Sequence, residues 1–246
     1  MLQREAAPGI HRVEDAHTNW YIVEEGGALT VVDAGVRTSW RSFWRALDQL
    51  GRHPVDVAAI VLTHAHFDHI GFAERARREL GVPVLVHEND VPLSRRPRQY
   101  SRERSPLRYP FEYPESIPFV LSFVLHRAFF PQPIEHVHRF RDGTLDVPGS
   151  PSVVPTPGHT LGHCAFHFPD RGAVIAGDAV VTLDPYTGRR GPQLVARAAT
   201  ADSERTLASL DVLAAVDADT VLCGHGEPWR EGTAELIERA RTAGIQ

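Results

Sequence analysis

Thr63-His64-Ala65-His66-Phe67-Asp68-His69 places three imidazoles and one carboxylate within seven residues. Just before it, Ala58-Ala59-Ile60-Val61-Leu62 is a short, unbroken apolar run, as expected of a strand buried on both faces. After it, residues 71–80 read as a helix closed by Gly81. The cluster therefore sits where a strand hands over to a helix. In extended backbone His64 and His66 point the same way, while Asp68 and His69 follow once the chain has turned and can face a second point close by. That geometry suits two metal ions better than one.

Upstream, residues 20–25 and 28–32 are β-rich runs joined by Gly26-Gly27, a hairpin signal, and they end in Asp33-Ala34-Gly35. Trp40, Phe43, Trp44, Leu47 and Leu50 then recur at helical spacing as far as Gly51. Downstream, strands are expected at 84–86, 136–140, 152–155, 165–168 and 173–176, the last two joined by Pro169-Asp170-Arg171-Gly172. A helix over about 203–216, a strand at 220–222 and a helix over about 233–243 close the pattern. This order predicts an α/β chain with two sheets, helices on their outer faces, and a single domain over residues 1–246.

Between residues 89 and 135 the pattern breaks. Residues 95–108 hold six arginines against Glu103 alone, and 117–130 is apolar nearly all round, with Pro118 placed to start a helix. The run is shorter than the ~18 residues of a membrane span. It reads as a helical lid that packs on the body, lines a pocket, or pairs two chains as a homodimer. The arginines are expected to form a solvated face or an anion site.

The formal charge of −5 argues against a nucleic-acid partner, although all 26 basic residues are arginine. The first eight residues lack the apolar stretch of a signal peptide, so a cytoplasmic location without a membrane span is expected. Cys164 and Cys223 are too few and too far apart for a disulfide framework or a thiolate zinc site. Cys223, two residues before His225, reads as a small buried strand residue.

Pro157-Gly158-His159, Gly177-Asp178 and Gly224-His225-Gly226 each end a strand-like run on a glycine-flanked loop, where backbone can approach an ion closely. With the heptapeptide they form a set, HxHxDH followed by a distant His, Asp and final His, that resembles the metallo-β-lactamase superfamily. The resemblance spans about residues 20–228 and leaves the lid outside. It implies a four-layer αββα sandwich with the site at one edge. It further implies that His64, His66 and His159 hold one metal, that Asp68, His69 and His225 hold the other, and that Asp178 bridges both. Asp33 matches the family's supporting aspartate. His163, in Pro157-Gly158-His159-Thr160-Leu161-Gly162-His163, is a second supporting candidate.

Imidazoles and carboxylates suit two Zn²⁺ ions, with iron or manganese left open by the same donors. Two ions about 3.5–4 Å apart would hold a bridging hydroxide near neutral pH. That hydroxide would attack a carbonyl, with Asp68 orienting it or passing a proton to the leaving group. Superfamily enzymes that open β-lactams generally lack a bridging aspartate, so Asp178 points to the branch resembling glyoxalase II, lactonases and related esterases. Glyoxalase II has a C-terminal helical region that binds glutathione, whereas this chain has about 20 residues after Gly226. The expected activity is therefore metal-dependent hydrolysis of a small acyl substrate, an ester, thioester or lactone. Arginines beside the apolar lid suggest an anionic end, such as a coenzyme A thioester. The same motif allows a persulfide dioxygenase-like enzyme with one iron on His64, His159 and Asp178, or a metal-binding regulator without turnover.

Overall fold

The computed structural model describes residues 1–246, and its strands fall into two main sheets. The first contains, in spatial order, β1 (Leu2–Ala7), β2 (Ile10–Asp15), β3 (Thr18–Glu25), β4 (Ala28–Val32), β5 (Val57–Val61), β6 (Val84–His87) and β7 (His138–Phe140). Neighbours from β1 to β4 are antiparallel, and those from β4 to β7 are parallel. The second contains β8 (Gly143–Thr144), β9 (Ser152–Pro155), β10 (Cys164–Phe168) and β11 (Ala173–Gly177). After a separate ribbon of β12 (Val181–Leu183) and β13 (Arg190–Gln193), the chain returns to it as β14 (Thr220–Cys223), which lies parallel to β11 at the sheet edge.

Alternation along the strands explains the layering. In β5, Ala59 and Val61 face the space between the sheets. Ile60, on the other face, packs with Phe43 and Leu47 of α1 (Trp40–Leu50) and Ala73 and Ala76 of α2 (Ala73–Leu80). In β11, Ala173 and Ile175 meet Phe166 and Leu222 inside, while Val174 and Ala176 turn outward. The result is the αββα sandwich. Burying a side chain such as Phe43 or Leu47 contributes roughly 1.5–3 kcal/mol. The β3–β4 hairpin turns at Gly26 and Gly27, both at positive φ (+56° and +90°), as a two-residue connection of this hand requires.

The segment from 89 to 135 is helical, with α3 (Val91–Arg95), α4 (Tyr109–Glu112) and α5 (Ile117–Leu125). It is docked on the sandwich. Tyr109 is buried and its hydroxyl donates to the Gln246 carbonyl at 2.9 Å, and the Glu103 carboxylate accepts from Ser203 N at 2.7 Å. Of α5, Phe119 and Phe123 are buried, and Phe123 packs with Val36 and Phe67. Ile117, Leu121, Val124 and Leu125 remain exposed, so this apolar helix covers the body with one side only. The outer layer over the second sheet is α6 (Ser203–Ala214) with α7 (Thr233–Ala243), through Leu210, Leu213, Leu236 and Ile237. No helix is long and apolar enough to cross a membrane.

The sequence pattern predicts no strand at β1, β2, β8, β12 or β13. β1 reads Leu-Gln-Arg-Glu-Ala-Ala and buries only its last two residues, and β13 contains Gly191 and Pro192. Both are edge-type strands without the apolar pattern that marks a strand in sequence.

Candidate metal centre

The carboxyl ends of β4, β5, β9, β11 and β14 meet at one edge of the sandwich, where loops of an open α/β sheet can converge on a ligand. They deliver all nine residues expected from the sequence. His64, His66 and His159 bring one ring nitrogen each within 4.8 Å of one another, and Asp68, His69 and His225 form a second such group. Asp178 Oδ2 lies between them, 3.9 Å from His64 Nε2, 3.4 Å from His159 Nε2, 3.6 Å from His69 Nε2 and 3.3 Å from His225 Nε2. Asp33 also groups with His64 and His69. Its oxygens are already engaged, however, accepting from Thr63 N and Thr63 Oγ1 at 2.8 Å and facing His69 Nδ1 at 2.9 Å.

Hydrogen-bond arithmetic fixes several ring orientations. The Thr63 hydroxyl gives its proton to Asp33, so at 3.0 Å it accepts from His64 Nδ1 and leaves His64 Nε2 as a lone pair. His69 donates from Nδ1 to Asp33, and His225 donates from Nδ1 to the His17 carbonyl at 2.7 Å. Both Nε2 atoms are thereby turned to the centre. Asp178 N donates to His163 Nε2 at 3.0 Å, so the His163 proton is on Nδ1 and goes to Thr156 Oγ1 at 2.8 Å. His163 thus holds the backbone of Asp178.

Nε2 of His64, His66, His69 and His159, together with Asp178 Oδ1, are buried without hydrogen-bond partners. An unpaired buried polar atom costs about 1–3 kcal/mol, and native folds rarely leave several side by side. The ring nitrogens converge around Asp178 Oδ2, and imidazole nitrogen with carboxylate oxygen is a donor set for zinc or iron. The residues fit bound metal.

Burial pushes His66 down to about 3 and holds His64 and His159 well below the usual imidazole range, so this group is neutral and ready to ligate. Burial also opposes charge on His69 and His225, but Asp178, reinforced by Asp68, outweighs it and raises both. Asp178 itself is held well below the carboxylate range, because His225 and His69 outweigh its burial. Burial brings His163 to about 4, in keeping with its acceptor role, and drives the Cys223 thiol up to about 12. Cys223 is the buried end of β14, as its sequence context suggested.

Three supporting residues escaped the sequence reading. Asp90 is buried and accepts from Ala65 N (2.9 Å), Thr160 Oγ1 (2.8 Å) and Gly162 N (2.7 Å), tying the heptapeptide to the His159 loop. Asn19 Nδ2 donates to the carbonyls of Cys223 and Gly226, and buried Arg12 reaches Asn19, the Gly226 carbonyl and Glu227. The N-terminal strands therefore anchor the His225 loop. Glycine is required at Gly224, where a Cβ would overlap Asp178 Oδ1.

A cavity of about 260 Å³ opens beside His66 and His159, walled by Arg96, Gln99, Tyr100 and Thr160. Tyr100 lies with its ring 5.0 Å from that of His66.

The family model of the metallo-beta-lactamase superfamily matches residues 13–225. A probable metallo-hydrolase of Bacillus subtilis, YflN, is 27% identical over 255 residues, covering 96% of this chain and 92% of that protein. A hydroxyacylglutathione hydrolase of Hyphomonas neptunium is 54% identical over 41 residues, 16% of either chain. Among solved structures, TTHA1623 in a di-iron-bound form aligns with a TM-score of 0.66 at 26% identity, over 93% of this chain and 96% of that one.

Proposed function

The chain belongs to the metallo-beta-lactamase superfamily, and from that premise we propose that it hydrolyses an ester, thioester or lactone at a two-metal centre. His64, His66 and His159 would hold one ion, Asp68, His69 and His225 the other, and Asp178 both. The observation that carries this reading is the position of Asp178 Oδ2, within 3.3–3.9 Å of four ring nitrogens drawn from both groups. Bound divalent ions, zinc by the donor set, would supply Lewis acidity and a water acidified toward pH ~7.

The chain's own residues do the rest. Asp178 and Asp68 place negative charge among five histidines and keep the centre close to neutral. Asp68 Oδ2 sits 3.5 Å from His225 Nε2 and accepts from Thr18 Oγ1 at 3.4 Å. It is the most accessible carboxylate of the site, at 6% exposed against 3% for Asp178, which suits it to orient the attacking water and carry a proton to the leaving group. The adjoining cavity admits a substrate arm past His66 and His159.

The short match to a hydroxyacylglutathione hydrolase supports acyl chemistry. The oxidative alternative uses only His64, His159 and Asp178. It would leave Asp68, His69 and His225, with the Asp33 and His17 contacts that aim them, without a role. A panel of lactones, acyl thioesters and aryl esters, assayed with wild type and His64→Ala after metal quantification, tests the reading. Turnover lost in His64→Ala is expected; oxygen uptake without hydrolysis would overturn it.

A further inference from the structure

Building on the hydrolase reading, we propose that one arm of the substrate ends in phosphate, held by Arg96 with Arg95 and Arg139 in a groove leading away from the metal centre. The cavity beside His66 and His159 is lined on its far side by Pro92 and Arg96. The same two residues line a second cavity of about 360 Å³, whose other walls include Arg95 and Arg139. The two spaces therefore adjoin across Pro92 and Arg96 of the α3 region, and together fall in the ~300–1,000 Å³ range of small-molecule sites.

The guanidinium groups of Arg95, Arg96 and Arg139 come together along the wall of the second cavity. None of Arg95, Arg96 and Arg139 lies within ion-pair distance of a carboxylate. Glu88, the acid in the second cavity, is taken by Arg141 at 2.7 Å. Of the other arginines of the insertion, Arg104 and Arg108 pair with Glu112 at 2.8 and 3.4 Å, Arg98 stacks over Phe130, Arg102 stacks over Tyr100, and Arg127 lines neither cavity. In a chain of net charge −5, three free guanidinium groups on one wall mark an anion subsite. A carboxylate needs one such partner, whereas a phosphate dianion offers three oxygens and can engage several.

The fitting class is an acyl ester or thioester whose leaving half carries phosphate, as in phosphopantetheine and coenzyme A. Water oxygen bonds to the carbonyl carbon, the carbon–sulfur or carbon–oxygen bond breaks, and the departing atom takes up the proton.

Calorimetric titration of the purified full-length protein with 4′-phosphopantetheine and with pantetheine, which differ only by the phosphate, tests the subsite. The phosphate form should bind at least tenfold more tightly. Arg96→Ala combined with Arg139→Ala should abolish the difference, and Arg102→Ala, outside both cavities, should keep it. Equal binding of the two probes, or a difference that survives in the double variant, would overturn the proposal. Hydrolysis of phosphate-free esters with no preference between the probes would sink the phosphate arm and leave the hydrolase reading standing. Arginine-dependent binding with no acyl turnover would do the reverse.

Discussion

Asp33 Oδ2 lies 2.9 Å from His69 Nδ1, so a carboxylate at the end of β4 sets the tautomer of a ring beyond the end of β5. Asp33→Asn would keep the acceptor for Thr63 N but present an N–H toward His69 Nδ1. The ring proton would then move to Nε2 and block the lone pair aimed at the centre. Metal affinity should fall 10–100-fold with the fold intact. A competition titration with a zinc chelator checks this; affinity within twofold of wild type would contradict it.

Asp90 joins the two loops that carry His66 and His159. Asp90→Ala leaves three buried donors without an acceptor, and a loss of about 3 kcal/mol is expected after partial relaxation. Urea denaturation measures it. A change below about 1 kcal/mol would mean that the loops are held by other contacts.

A methyl group at Gly224 would displace Asp178 and come 2.9 Å from His69 Cε1. Gly224→Ala should therefore lower metal affinity at least tenfold while far-ultraviolet circular dichroism is unchanged, although residue 224 contributes no ligand of its own.

Asp184 is fully buried, and burial raises its carboxyl to about 6 against its partners, Tyr186 N and Thr187 Oγ1. The folded chain thus holds this proton between pH ~4 and ~6 where the unfolded chain has lost it. Its contribution to stability falls as pH rises through that window, by about 3 kcal/mol in all, and is constant above it. Asp184→Asn can keep both contacts without the charge. The variant should match wild type near pH 4 and exceed it in unfolding free energy at pH 7. Parallel losses in wild type and variant between pH 4 and 6 would contradict the assignment.

The candidate site was legible wherever its candidate ligands were close in sequence or lay on glycine-flanked strand ends, since short spacing restricts where a side chain can point. His64 and Asp178 belong to this class, whereas Asp33 stood out only through the family resemblance. Asp90 was not legible, because its partners at Thr160 and Gly162 are 70 and 72 residues away and its own surroundings resemble any loop. Arg12 and Asn19 were hidden for a related reason: a buried arginine in a strand rich in polar residues looks solvated until its partners on a distant loop are placed. Within 117–130 the start of a helix at Pro118 was legible, and the helix observed is shorter, Ile117–Leu125. Which face it would bury depended on Phe67 and Val36, which no local pattern connects to it.

The central claim is two metals bridged by Asp178, and counting them tests it most directly. Elemental analysis of the zinc-reconstituted protein should give two equivalents per chain in wild type and about one in His69→Ala, which retains the His64, His66 and His159 group. One equivalent in wild type, unaltered by loss of His69, would contradict the account.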